Sequence, residues 1–243
     1  MKLQSCVFAA AFACLLLAPM SHALTPIADG FNNNALDPAR WQVSQFGKAK
    51  FKVAQQRVNF FIFPAFDPNE DYGYLELLNN QPGFNESWQV VLTVNNTSGQ
   101  GDRIGAGFWI YNADNPSDVI FFEFYGNPAK RDRLCASASF VLDGDYMAAS
   151  LEHKAALLTK AKLRVIFNAK TKLFTFKVAR TGKNADWTTL GTFSPTGKGG
   201  DVRANWNLNP GSGRFGIRLE GYGERRLLEG GKVYLDSFNL SRP

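Results

Sequence analysis

The sequence predicts an all-β chain folded as a two-sheet antiparallel sandwich, and three observations carry that prediction. Short alternating or apolar runs recur between clusters of turn-forming residues. Two of these runs, Ile104 to Asn112 and Val119 to Gly126, split cleanly by parity. Ile104, Ala106, Phe108, Ile110, Ile120, Phe122 and Phe124 are all apolar, whereas Trp109, Tyr111, Phe121, Glu123 and Tyr125 share the other side. Successive strand residues point to opposite faces, so the apolar set is a core face and the other set points outward. The chain also lacks a linker, a low-complexity segment or a repeat, and its length suits one large β domain of about 200–250 residues.

Taken in order, the first element is a leader rather than part of the fold. Lys2 supplies a positive start, Val7 to Ala18 an apolar stretch, and Ser21-His22-Ala23 a small-x-small cleavage signature. The stretch is shorter than the about 20 residues of a membrane span. The flanks of Cys14 fit a lipoprotein signal poorly, so residues 1–23 are expected to be removed and residues 24–243 to form a single domain, with no integral membrane segment left. The strands then expected are Phe51 to Val58, Trp88 to Asn95, Gly105 to Tyr111, Val119 to Tyr125, Ala136 to Leu142, Leu163 to Asn168, Lys172 to Ala179, Arg214 to Tyr222 and Lys232 to Leu240. Pro82-Gly83, Ser98-Gly99, Asn115-Pro116, Asp143-Gly144, Thr181-Gly182, Gly199-Gly200 and Gly230-Gly231 supply the turns between them. Ala148 to Lys160 reads equally as helix or strand. First and last strands pairing in one sheet would bring the chain ends together.

Composition removes several kinds of chemistry. Cleavage of the leader leaves Cys135 as the one cysteine and His153 as the one histidine. That excludes a multi-histidine zinc site and a disulfide scaffold, and no Gly-x-Ser-x-Gly elbow accompanies the lone histidine. Cys135, despite Arg131 and Arg133 nearby, reads as a buried thiol. The net charge of +6 is spread over separate segments with acids interspersed. It reads as a solvated basic surface rather than a nucleic-acid stripe, and it stays compatible with an acidic polysaccharide or an anionic cell surface.

Candidate sites follow from the outward parity. The run Arg214 to Tyr222 repeats the split, with Phe215, Ile217 and Leu219 apolar and Arg218, Glu220 and Tyr222 opposite. If this strand neighbours the others, Trp109, Tyr111, Glu123, Tyr125, Arg218, Glu220 and Tyr222 form an aromatic platform with hydrogen-bonding charges, the makeup of a sugar-binding cleft. A loop folded over the aromatics is the alternative. Asp67, Asn69 and Asp71 place oxygens at alternate positions, as calcium loops do, yet Leu78 stands where a closing glutamate belongs. The segment is read as a plain turn, no cofactor is expected, and calcium is the alternative.

The order of short motifs resembles the concanavalin A-like lectin and glucanase superfamily. Asp29-Gly30-Phe31, Leu36-Asp37-Pro38-x-x-Trp41, a strand ending Arg57-Val58, Gly107-Phe108-Trp109-Ile110-Tyr111, Glu123-Phe124-Tyr125-Gly126, Leu163 to Asn168, Leu173 to Val178 and Gly213 to Tyr222 follow that superfamily's sequence of elements. The resemblance spans almost the whole chain after the leader. It implies a jelly-roll sandwich with one concave sheet that carries the ligand. Its laminarinase-like glucanases use Glu-x-Asp-x-Glu or Glu-x-Asp-x-x-Glu on one strand. Here Glu123 stands at the last acid, Asp118 at the first of the bulged spacing, and the middle aspartate is missing. The reading is an exported, secreted or periplasmic, monomeric and non-catalytic protein that binds a polysaccharide or cell-surface glycan. The alternative is a glycoside hydrolase or polysaccharide lyase using Glu123, with Asp118 as a candidate partner. A structural or adhesive protein is the third.

Overall fold

The computed structural model describes residues 24–62, 71–79, 81–98, 104–126, 133–142, 145–156, 159–179, 186–209, 211–223 and 228–243. Every regular element among them is a β-strand, and the strands form two sheets. One sheet has nine strands. Its path runs β14 (Val202–Arg203), β13 (Trp187–Ser194), β12 (Leu173–Ala179), β11 (Lys160–Asn168), β6 (Trp88–Asn96), β16 (Leu228–Ser241), β4 (Arg57–Ile62) and β3 (Ala49–Ala54), with β1 (Ile27–Asp29) also paired to β16. The seven-stranded sheet runs β10 (Asp145–Ala156), β9 (Arg133–Leu142), β8 (Asn115–Gly126), β7 (Ile104–Asn112), β15 (Phe215–Gly223), β5 (Asp71–Leu77) and β2 (Trp41–Gln45). All pairs are antiparallel except β13 with β14. The expected pairing of the chain ends is present, with Ile27 opposite Leu240.

The core lies between the sheets and is built by the parity the sequence displays. Ile104, Ala106, Phe108 and Ile110 on β7, and Ile120, Phe122 and Phe124 on β8, are at most 1% exposed. They meet Leu92, Val165 and Phe176 of the other sheet, all fully buried. Phe122 and Phe140 both set an edge against Phe176, with centroids 5.4 and 5.6 Å away. A second knot surrounds the buried Trp88, whose ring lies within 5.8 Å of Phe167, Phe174 and Phe215.

Two sequence expectations need correction, and one reading left open is resolved. The run Phe51 to Val58 is not one strand but the turn of a hairpin, because Gln55 and Gln56 both take positive φ (56° and 58°) between β3 and β4. Two such residues make the tight turn whose twist suits paired strands, normally marked by Asn-Gly. Residues 145–156 are a strand, β10, paired along most of β9. Finally, residues 71–77 leave the expected acidic turn and form β5, which pairs with both β15 and β2.

Candidate functional site

The outer face of the seven-stranded sheet gathers the outward residues into rows that run across the strands. One row places Ser137, Glu123, Gly107, Glu220 and Tyr74 on neighbouring strands β9, β8, β7, β15 and β5. The next holds Phe121, Trp109, Arg218 and Glu76, and the one on the other side holds Tyr125, Gly105, Tyr222 and Tyr72. All seven residues expected to line a cleft therefore belong to one face. Phe46, Tyr72, Tyr74 and Glu76 join them unanticipated; the alternation Tyr72-x-Tyr74-x-Glu76 against Gly73, Leu75 and Leu77 was the signal that could have found β5.

At the centre is an acid pair. Glu123 and Glu220 sit on strands separated by β7, and the residue between them is Gly107. A side chain at that position has no space: a Cβ would lie 2.1 Å from the Phe122 carbonyl oxygen and 2.7 Å from the Glu123 Cα. With no side chain between them the two carboxyls meet in a hydrogen bond, and the Tyr222 hydroxyl donates to Glu123 as well. Both glutamates are 7% exposed. Burial raises both carboxyls above the ordinary carboxylate range, and Glu220 is pushed furthest because the Glu123 charge lies beside it. Two carboxyls in such contact cannot both ionise, so they hold a proton between them. Oxygen Oε1 of Glu220 is buried and without a hydrogen-bond partner among the described residues.

Beside the pair, Arg218 is clasped by aromatic rings. Its guanidinium carbon lies 4.2, 4.5 and 5.0 Å from the ring centroids of Tyr74, Tyr111 and Trp109. Nε and Nη2 of Arg218 both donate to Glu76 Oε2, at 3.3 and 3.2 Å. Tyr111 crosses β15 over Gly216, whose missing side chain leaves space for the ring, and its hydroxyl donates to Glu76 Oε1. Burial, then that hydrogen bond, pushes the Tyr111 hydroxyl up to about 12. Tyr125 likewise reaches about 12, through burial and then the nearby Glu152 carboxylate. The charge of Arg218 is thus offset locally by Glu76.

Aromatic rings continue the site sideways. Phe46 stacks on Tyr72 at 4.5 Å and touches Tyr74 at 5.9 Å; Tyr74 meets Trp109 at 5.8 Å, and Trp109 meets Phe121 at 5.1 Å. Phe46 is 39% exposed, Tyr72, Tyr74, Trp109 and Tyr125 are half-buried, and Tyr111 and Phe121 are buried. The Trp109 indole nitrogen is a second buried polar atom with no partner among the described residues. A row of ring faces beside a pair of carboxyls is suited to a ligand that is flat, apolar on its faces and hydroxylated at its edges.

Other candidates fall elsewhere. Asp118 has the core-side parity of its strand and accepts a hydrogen bond from Asn112 Nδ2 at 3.0 Å, so it does not face Glu123; the acid beside Glu123 is Glu220, from another strand. Asp67 and Asn69 lie outside the described residues. Asp71 is buried, and its Oδ1 accepts the Lys48 backbone N–H at 2.7 Å, tying β5 to the turn after β2. Among the described residues, no group of three or more His, Cys, Asp or Glu is arranged to hold a metal ion. Cys135 is buried. Residues 1–23, expected to be a leader, are outside the described residues, and no described helix is long and apolar enough to cross a membrane.

No protein-family profile matches the sequence, and no curated protein matches it. In three dimensions the chain is similar to the carbohydrate recognition domain of Emp46p in its potassium-bound form, with TM-score 0.56 and 13% identity over 87% of this chain and 94% of that one. Winged bean acidic lectin complexed with methyl-α-D-galactose gives 0.56 and 10% over 89% and 98%. The xyloglucan PUL GH43B of Bacteroides ovatus gives 0.58 and 13% over 90% of this chain and 40% of that one, so the chain spans about two fifths of its length. The chain has the jelly-roll fold of the concanavalin A-like lectin and glucanase superfamily.

Proposed function

We propose that this is an exported, monomeric, non-catalytic protein that binds an uncharged polysaccharide or cell-surface glycan on the outer face of its seven-stranded sheet. The observation that carries the reading is the ring row from Phe46 to Trp109, with the buried acid pair beside it. Sugar rings stack on such aromatic faces. Likeness in fold to lectins supports the reading. Retaining hydrolysis needs carboxyls about 5–5.5 Å apart, one on each side of the scissile bond; Glu123 and Glu220 instead touch each other. Secretion or a periplasmic location rests on the leader signature of residues 1–23.

A polysaccharide-degrading activity is the second reading, and one feature favours it. Glu220 keeps its proton above the ordinary carboxylate range, as a general acid must. A glycan array probed with residues 24–243, followed by a reducing-end assay on every hit, separates the two. Binding without new reducing ends is expected, with Trp109→Ala and Tyr74→Ala each weakening it about tenfold or more, equivalent to about 1.4 kcal/mol. Cleavage that disappears in Glu220→Gln or Glu123→Gln would install the enzyme. Binding untouched by both aromatic substitutions would remove the site from this face.

A further inference from the structure

The nine-stranded sheet has an outer face as well, and the fold sorts charge onto it. Cations far apart in sequence, Lys50 and Lys52 on β3 and Lys160, Lys162, Arg164 and Lys177 on β11 and β12, all stand on the side away from the core. Against them the described side chains of β3, β4, β6, β11, β12, β13 and β16 bring one carboxylate, Asp236, which pairs with Lys160 at 2.6 Å.

The centre of this face is arranged in a way that folding alone does not favour. Lys160, Lys162 and Arg164 follow one another at alternate positions of β11, about 6.5–7 Å apart. Lys177 is directly opposite Arg164 in the register of β11 with β12, and like charges so placed destabilise a sheet. Arg164 is held flat on Trp187, its guanidinium carbon 3.9 Å from the ring, with its buried Nε unpartnered among the described residues. Arg57 is fixed in the same manner over Tyr234 at 4.0 Å. Between the cations, Thr175, Ser237 and Asn239 present hydroxyl and amide groups on the same side.

We infer that this outer face of the nine-stranded sheet binds an anionic, carboxylate-bearing polysaccharide, centred on Lys162, Arg164 and Lys177. Cations spaced along and across strands meet the acid groups of a polymer, and the interleaved hydroxyls and amides meet its hydroxyl groups. Single-stranded nucleic acid fits less well, because it needs open aromatic faces for its bases, and Trp187 and Tyr234 are each already covered on one face by an arginine. Duplex DNA is read by a helix or ribbon entering a groove, and this face is a sheet. The inference does not depend on the glycan reading of the opposite face.

The test measures binding of polygalacturonate by residues 24–243 in rising salt, with oligothymidylate and phosphatidylglycerol vesicles as comparison probes. Polygalacturonate is expected to bind, with affinity falling steeply from about 50 to about 300 mM salt as counterions are released. Lys162→Gln/Arg164→Gln/Lys177→Gln should weaken it at least about tenfold and flatten the salt dependence by about two to three charges. Lys160→Gln/Lys162→Gln/Lys177→Gln, which leaves the Arg164 stack in place, should lose a similar factor. The control Lys170→Gln/Lys198→Gln/Arg242→Gln removes equal charge outside the strands that carry the cluster and should change little. Equal losses in control and face variants, no polygalacturonate binding at low salt, or tighter variant-sensitive binding of oligothymidylate or vesicles would each overturn the inference.

Discussion

Replacing Glu220 by glutamine tests the shared proton through stability, without any ligand. Burial, then the charge of Glu123, raises the folded-state titration of Glu220 well above 4.5. The unfolded chain releases this proton near the ordinary glutamate value, about 4.3, whereas the folded chain keeps it. Below that pH both states hold the proton and the contribution to stability is full. Above it the folded state binds one proton more, so stability falls with rising pH by roughly 1.4 kcal/mol per unit until the folded group itself titrates. Glu123 shifts in the same direction and adds to the trend. Glutamine keeps the shape and an N–H to donate to Glu123, and it does not titrate. The variant should therefore gain on the wild type from about pH 5 upward, by about 3–6 °C in melting temperature per pH unit for a domain of this size. Thermal unfolding of both proteins from about pH 4 to about 8, with Lys198→Gln as a surface control, reads the difference directly. A gap that stays constant across that range would show that the carboxyls do not hold a proton between them.

Gly107→Ala should destabilise the fold by about 1–3 kcal/mol, because the clashing atoms belong to the β8 backbone and cannot rotate away; urea unfolding measures it, and an unchanged midpoint would refute the claim of closed space. Phe122→Ala should cost about 3–5 kcal/mol by emptying a fully buried site, while Trp109→Ala on the opposite side of the same sheet should cost less than half as much. Equal losses in the two variants would mean that the outward face is as structural as the core.

The sequence displayed faces well and neighbours poorly. Parity in residues 104–112, 119–126 and 215–223 was enough to assign core and outward sides, because a strand's period of two is written in its residues. Strand order is not: that Glu220 meets Glu123 depends on β7 lying between their strands and on a glycine at position 107. Asp118 is the natural partner by nearness in sequence, and its parity turns it away. β5 was hidden because its residues begin with Asp71 after an acidic stretch, which reads as a continuing turn. The hairpin at Gln55-Gln56 carries none of the glycine or asparagine that usually announces positive φ. Charge sorting onto the nine-stranded sheet was equally invisible, since its cations are spread from residue 50 to residue 177.

The placement of β16 has a consequence for timing. The last strand of the chain lies inside the nine-stranded sheet, between β6 and β4, and holds β1 as well. Residues 27–29, 57–62 and 88–96 therefore wait for residues 228–241 before their hydrogen-bonding edges are filled. Contacts that span nearly the whole chain form slowly. While the chain is being made, its first half has no complete sheet to settle into, and the finished fold arrives only after the final strand is available. Until then the unfilled edges of β1, β4 and β6 need protection from pairing with other chains.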